Sequence, residues 1–203
     1  MTQISSQYLN IDAQLNRVIE RIVSTELLNN IGLSNDIGFH IFDYLPEHED
    51  KVRNFIETAL EPALRKHSQK IRFINVNLFQ TVIDLLRERD LLERSLEMQR
   101  SKGNEALENA AYPVLKEDKL AQFLISSINL DELDLVLLTG VGAAYPLVRL
   151  HSLLNGLHPL MKDIPLVVFY PGRYDGRNLR LFGLNSERND ANAPYYRAFQ
   201  LLK

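Results

Sequence analysis

Three consecutive stretches decide how this chain reads: LDLVLLTGVG (133–142), AYPLVRLHSLLNGLHPLMKD (144–163) and IPLVVFYPGRYDGRNLRLFG (164–183). The apolar runs Leu133–Thr139 and Ile164–Tyr170 are short, rich in branched residues and bounded by Gly and Pro. Strands covered on both faces look this way, because neither face needs polar residues. The stretch between them repeats apolar residues at helical spacing, which makes the whole a strand–helix–strand crossover. Each strand runs into a glycine-bearing loop, Thr139-Gly140-Val141-Gly142 and Pro171-Gly172-Arg173-Tyr174-Asp175-Gly176-Arg177. In open parallel sheets, ligands and partners gather at the carboxyl ends of strands, so function is sought at these two loops.

Outward from this block the chain alternates elements. The spacing of Ile11, Leu15, Val18, Ile19, Ile22, Val23 and Leu27 predicts an amphipathic helix over 12–30. Ile37–Leu45 reads as a strand closed by Pro46, and 47–67 as a helix with acids first and bases last, as its dipole favours. Ile71–Leu78 alternates as a second strand. A long helix is expected from Phe79 to about Ser101, then a helical region over 105–128 interrupted near Pro113, and finally a C-terminal strand at Tyr196–Leu201. The expected architecture is a three-layer α/β sandwich with a mostly parallel sheet, P-loop-like or Rossmann-like in topology, and a possible antiparallel edge from the C-terminus. All 203 residues are read as one domain, since no linker-like tract divides them.

Bulk properties exclude several classes. The net charge of −3 supplies no global basic field for DNA or an anionic membrane, so direct DNA binding is disfavoured. The absence of cysteine removes disulfides, thiolate metal sites and cysteine nucleophiles. The start MTQISSQYLN lacks a signal peptide's charged and apolar regions, and no window approaches 18 apolar residues. A cytoplasmic protein with no membrane contact is expected.

No catalytic, metal or cofactor constellation stands out. GxxxxGK[ST] is absent, and the Gly140–Gly142 pair lacks a third glycine, because Tyr145 occupies that position. Gly140 and Gly142 are read as shaping a tight turn into the helix. His151 and His158 lie seven apart with no acid between them to complete a zinc site, and a structural role is expected for both. His151 and Asn155, four apart, share a helix face and are expected to shape the loop. Arg173, Arg177 and Arg180, with Tyr174 and Asp175, form the most suggestive polar group, joined by Arg149 and Arg197. Arginine forks suit carboxylate or phosphate, and a loop lets them converge, so these residues are the candidate partner-docking element. The charged stretch Leu85–Arg100, with Leu85, Leu86, Leu91, Leu92 and Leu96 as an apolar stripe, reads either as a solvated outer layer or as a projecting arm.

The motifs TGVG, PLVRLHSLLN, VVFYPGRYDG, LRLFG and YYRAF occur in this order and resemble the BrxB family of bacterial BREX phage-resistance systems. The resemblance implies a defence-complex component working beside a PglZ-type protein first, then a PglX methyltransferase and a BrxC ATPase. It brings no catalytic motif and no cofactor. The expected function is therefore a non-enzymatic adaptor that docks these proteins through its strand-end loops. The alternative is a degenerate nucleotide-binding or cryptic enzymatic subunit using the Thr139–Gly142 loop, and a weaker third reading is a DNA-contacting module.

Overall fold

The computed structural model describes residues 10–31, 38–182 and 198–202. Two apolar layers on either side of one sheet organise them. Strands β1 (Phe39–Tyr44), β2 (Phe73–Asn77), β3 (Leu135–Thr139), β4 (Leu166–Tyr174), β5 (Leu179–Leu181) and β6 (Phe199–Gln200) form a six-stranded sheet. The order is β2-β3-β4-β1-β6, every neighbour along that path is parallel, and β5 pairs with β4 alone. Within each continuous apolar run the faces alternate. Leu135, Leu137, Val167 and Phe169 enter one layer, while Val136, Leu138, Leu166, Val168 and Tyr170 enter the other. Both faces are dry, which is why Leu135–Leu138 and Leu166–Phe169 carry no polar residue.

The first layer packs α1 (Ile11–Ile22), α2 (Thr25–Leu28), α3 (Glu49–Phe55) and α4 (Glu61–Lys66) against the sheet. A single helix over 12–30 is not formed. Ser24 ends it by accepting from the Leu27 N–H at 3.3 Å, which caps α2. From Pro46 to Lys66 the chain is helical throughout, passing through a π turn at Ile56–Leu60. The second layer holds α5 (Leu78–Glu88), α6 (Leu92–Lys102), α7 (Asn104–Ala111), α8 (Glu117–Ser126), α9 (Val141–Ala144) and α10 (Leu150–Leu157). Asn77 caps α5 through the Gln80 N–H at 3.1 Å.

Four further expectations change. The helix expected over 79–101 breaks at Asp90, whose φ of 55° is left-handed, a region short polar side chains tolerate. Leu85 and Leu86 are therefore in the main core, whereas Leu91, Leu92 and Leu96 are half-buried in or beside α6, and no residue of α6 is fully buried. The C-terminal strand is not an antiparallel edge: β6 runs parallel to β1 (His40 opposite Phe199), and Tyr196 and Arg197 lie outside the described residues. The antiparallel pairing belongs to β5, because the stretch read as the arginine loop continues as β4 through Tyr174 and turns back. The Asp175 carboxylate builds that turn, accepting from the N–H groups of Arg177 (3.0 Å) and Asn178 (2.7 Å), with Gly176 at φ 89°. The helix expected between β3 and β4 is likewise two pieces, α9 and α10, separated around Pro146.

Candidate functional site

The carboxyl ends of β2, β3 and β4 stand side by side and carry the loops singled out by the sequence. At the end of β3, Gly140 adopts φ 69°, and its open face is filled by the Asn77 side chain. A side chain there would meet both strain and steric conflict. Gly142, in α9, lets Pro171 and the Phe182 ring approach its backbone. Below them the Thr139 hydroxyl donates to Asn75 Oδ1 at 3.0 Å, and the Asn75 amide donates to Glu61 Oε1 at 3.0 Å, linking β3, β2 and α4. Nothing in the local pattern marks this network.

The β4–β5 ribbon separates the five candidate docking residues. Tyr174 is 2% exposed. Its hydroxyl donates to the Ala198 carbonyl at 2.7 Å, its N–H to Asp43 Oδ2 at 3.0 Å, and its carbonyl accepts from Gln200 Nε2 at 2.8 Å. Its ring is thus an anchor that ties the ribbon to β1 and the C-terminal segment. Arg173 is half-buried on β4 directly opposite Arg180 of β5, so two guanidinium-bearing residues are cross-strand neighbours. Like charges so placed repel. Asp175 Oδ2 lies 3.6 Å from Arg180. Burial raises the Asp175 carboxyl, but hydrogen bonds from Asn178 and Arg177 and the Arg180 charge outweigh it, holding the group below its ordinary value. Arg177 is exposed at the ribbon's tip.

The remaining candidates flank this centre. Arg149 is exposed and immediately precedes α10, while Arg197 lies outside the described residues. His151, in the first turn of α10, is half-buried with Nε2 3.2 Å from the Ser152 hydroxyl, and Asn155 is half-buried one turn on. Neither side chain belongs to the buried face of α10, formed by Leu150, Leu153, Leu154 and Leu157. His158 sits at the helix's far end, edge-on to Phe39 with ring centres 6.1 Å apart. No group of three or more His, Asp or Glu side chains able to hold a metal occurs among the described residues. No helix among them is long and apolar enough to cross a membrane.

Two features escaped sequence reasoning. Phe79, Tyr145 and Phe182 are 39%, 42% and 42% exposed at this same pole. His40, mid-strand in β1, is 3% exposed, and its Nε2 has no hydrogen-bond partner among the described residues. An exposed aromatic residue at a helix start or in a strand-end loop has no periodic signature, and a histidine between Phe39 and Ile41 could face either way.

Comparison with known proteins matches residues 74–201 to the model of the family "BREX protein BrxB". A BREX protein BrxB of Bacillus cereus (strain H3081.97) is 37% identical over 196 residues, covering 95% of this chain and 97% of the relative. The chain belongs to the BrxB family of BREX phage-defence systems. A second BrxB, from Escherichia coli O9:H4 (strain HS), is also 37% identical, over 95% of this chain and 92% of its own length. No solved structure matches. The stretch matched by the BrxB model opens at the start of β2 and closes just after β6, so it includes the β3 loop, the ribbon and Tyr174.

Proposed function

We propose that this protein is a non-enzymatic adaptor that docks other BREX proteins, a PglZ-type protein first and then PglX-type and BrxC-type components, through the carboxyl-end loops of β3 and the β4–β5 ribbon. The observation that carries the reading is the ribbon itself. Its base is held rigidly by buried Tyr174, while Arg177 and Arg180 project into solvent. A rigid base lowers the entropy lost on binding, and arginine is among the residues most enriched at binding hot spots. Docking is also favoured over a nucleotide site in the Thr139–Gly142 loop, because Asn77, Pro171 and Phe182 occupy the faces of the glycines that phosphate would need to approach.

Charge reversal tests the reading. Arg177→Glu with Arg180→Glu is expected to leave thermal unfolding nearly unchanged, because loss of the exposed Arg180–Asp175 pair, worth about 0–1 kcal/mol, is offset by relief of the Arg173–Arg180 repulsion. The same pair should strongly reduce recovery of a co-expressed PglZ-type protein in a pull-down, because like charges then face the partner. Undiminished recovery would exclude the ribbon as the docking element.

A further inference from the structure

We infer that the exposed aromatic cluster of Tyr145 and Phe182, with Phe79 beside it, is the apolar centre of a protein-docking surface. Its occupant is an acidic segment of a partner protein carrying a large apolar side chain. The inference rests on the adaptor reading and assigns the chemistry of the partner.

Five large apolar side chains are exposed among the described residues, namely Ile31, Phe79, Tyr112, Tyr145 and Phe182, and three of them gather at the carboxyl pole of the sheet. Tyr145 and Phe182 meet edge to face with ring centres 6.2 Å apart and planes at 84°. Phe182 follows β5, where its N–H donates to the Pro171 carbonyl at 3.0 Å, and its ring lies against Gly142. Phe79 occupies the first turn of α5, which packs against α9, so it borders the same surface. Two aromatic rings from separated segments thus meet, with Phe79 on an adjoining element, where a surface in water gains nothing by exposing them.

Phe182 adopts φ 53°, a left-handed backbone in which a bulky residue is a true outlier. Such a conformation costs on the order of 1 kcal/mol or more and persists where it aims a side chain. Here it sets the ring over Gly142 and against Tyr145.

Charge selects the occupant. Arg149 lies four residues beyond Tyr145, and Arg177 and Arg180 stand on the ribbon that ends in Phe182. Across 173–182 there are three arginines and one acid, Asp175, which builds its own turn and lies 3.6 Å from Arg180, leaving a surplus of positive charge. On α5 the nearest acid, Asp84, is paired with Arg87 at 2.7 Å. Among the described residues, a chain of net charge −3 therefore concentrates arginine along the ribbon and just before α10. Arginine beside an aromatic centre complements an apolar anchor flanked by Asp or Glu.

Purified PglZ-type, BrxC-type and PglX-type proteins from the same system, titrated one at a time, are the probes. Phe79→Ser combined with Phe182→Asn removes both rings, and asparagine suits the left-handed backbone. Binding of the responding probe should fall at least roughly tenfold. The control Ile31→Ser, at the opposite pole, and the wild type should bind alike. Photo-crosslinking from p-benzoylphenylalanine placed at position 182 should join the two proteins and needs no destabilising change. Wild-type affinity in the double variant, or no crosslink, overturns the inference alone. Loss of affinity in the ring variant but not in Arg177→Glu with Arg180→Glu refutes the acidic character of the partner. A wild-type protein that binds none of the probes removes the adaptor reading, and the docking surface with it.

Discussion

His40 shows how one residue sets a property of the whole chain. Its ring is buried on β1, 5.8 Å from the Phe199 ring and near Arg21. Burial first, and the Arg21 charge second, lower its pKa from 6.5 to about 4. Below pH 6.5 the unfolded chain takes up a proton there that the folded chain refuses until about pH 4. The stability is therefore fully present above pH 6.5 and is lost as the pH falls toward 4, at up to about 1.4 kcal/mol per pH unit from this group. His40→Leu should remove that component and be neutral or stabilising at pH 7, because a buried nitrogen with no partner among the described residues is replaced by an apolar group. Urea unfolding of both proteins at pH 7.5, 5.5 and 4.5 measures it. Parallel losses with falling pH in the two would show that His40 is not the sensor.

At the scale of elements, the second helical layer depends on Gly156. A Cβ there would stand 2.7 Å from the Glu117 carbonyl oxygen and 3.1 Å from Ala121 Cβ, so α10 and α8 touch almost backbone to backbone. Alanine would improve helix propensity by about 1 kcal/mol, but pushing packed helices apart costs about 1–3 kcal/mol. The obstruction is backbone and cannot swing away, so the second effect wins. Gly156→Ala should lower the denaturant midpoint with an unchanged m-value; a higher midpoint would mean that the helices can separate freely. Helical spacing located α8 and α10 in the sequence, yet it contained no sign of their close approach. It also joined α5 to α6, because the leucine stripe continues across Asp90 although the backbone does not.

For the molecule as a whole, Tyr174 connects segments far apart in sequence: Asp43 in β1, the end of β4, and Ala198 and Gln200 around β6. The composition of its surroundings, arginines beside a tyrosine, marks it as a surface contact; the structure buries it. Tyr174→Phe deletes one buried hydrogen bond and should cost about 1 kcal/mol. Partner affinity should be unaffected beyond that loss, in contrast to the charge reversals at Arg177 and Arg180. Calorimetric unfolding beside a binding titration separates the two effects. A variant with wild-type stability and weakened binding would return Tyr174 to the contact surface.

Local sequence determined the material of this fold. Apolar runs within 133–139 and 164–170, each leading into a glycine-bearing loop, required strands buried on both faces, and that in turn required helices above and below a parallel sheet. The ordered motifs from residue 139 onward also sufficed to place the chain in its family. Tertiary structure alone decided the rest. Which strand lies beside β1, whether Asp175-Gly176 reverses the chain, and that Phe79, Tyr145 and Phe182 share one pole all depend on pairings between residues far apart in sequence. Their free energy comes from long-range burial and hydrogen bonding, which no periodicity within a short window can report.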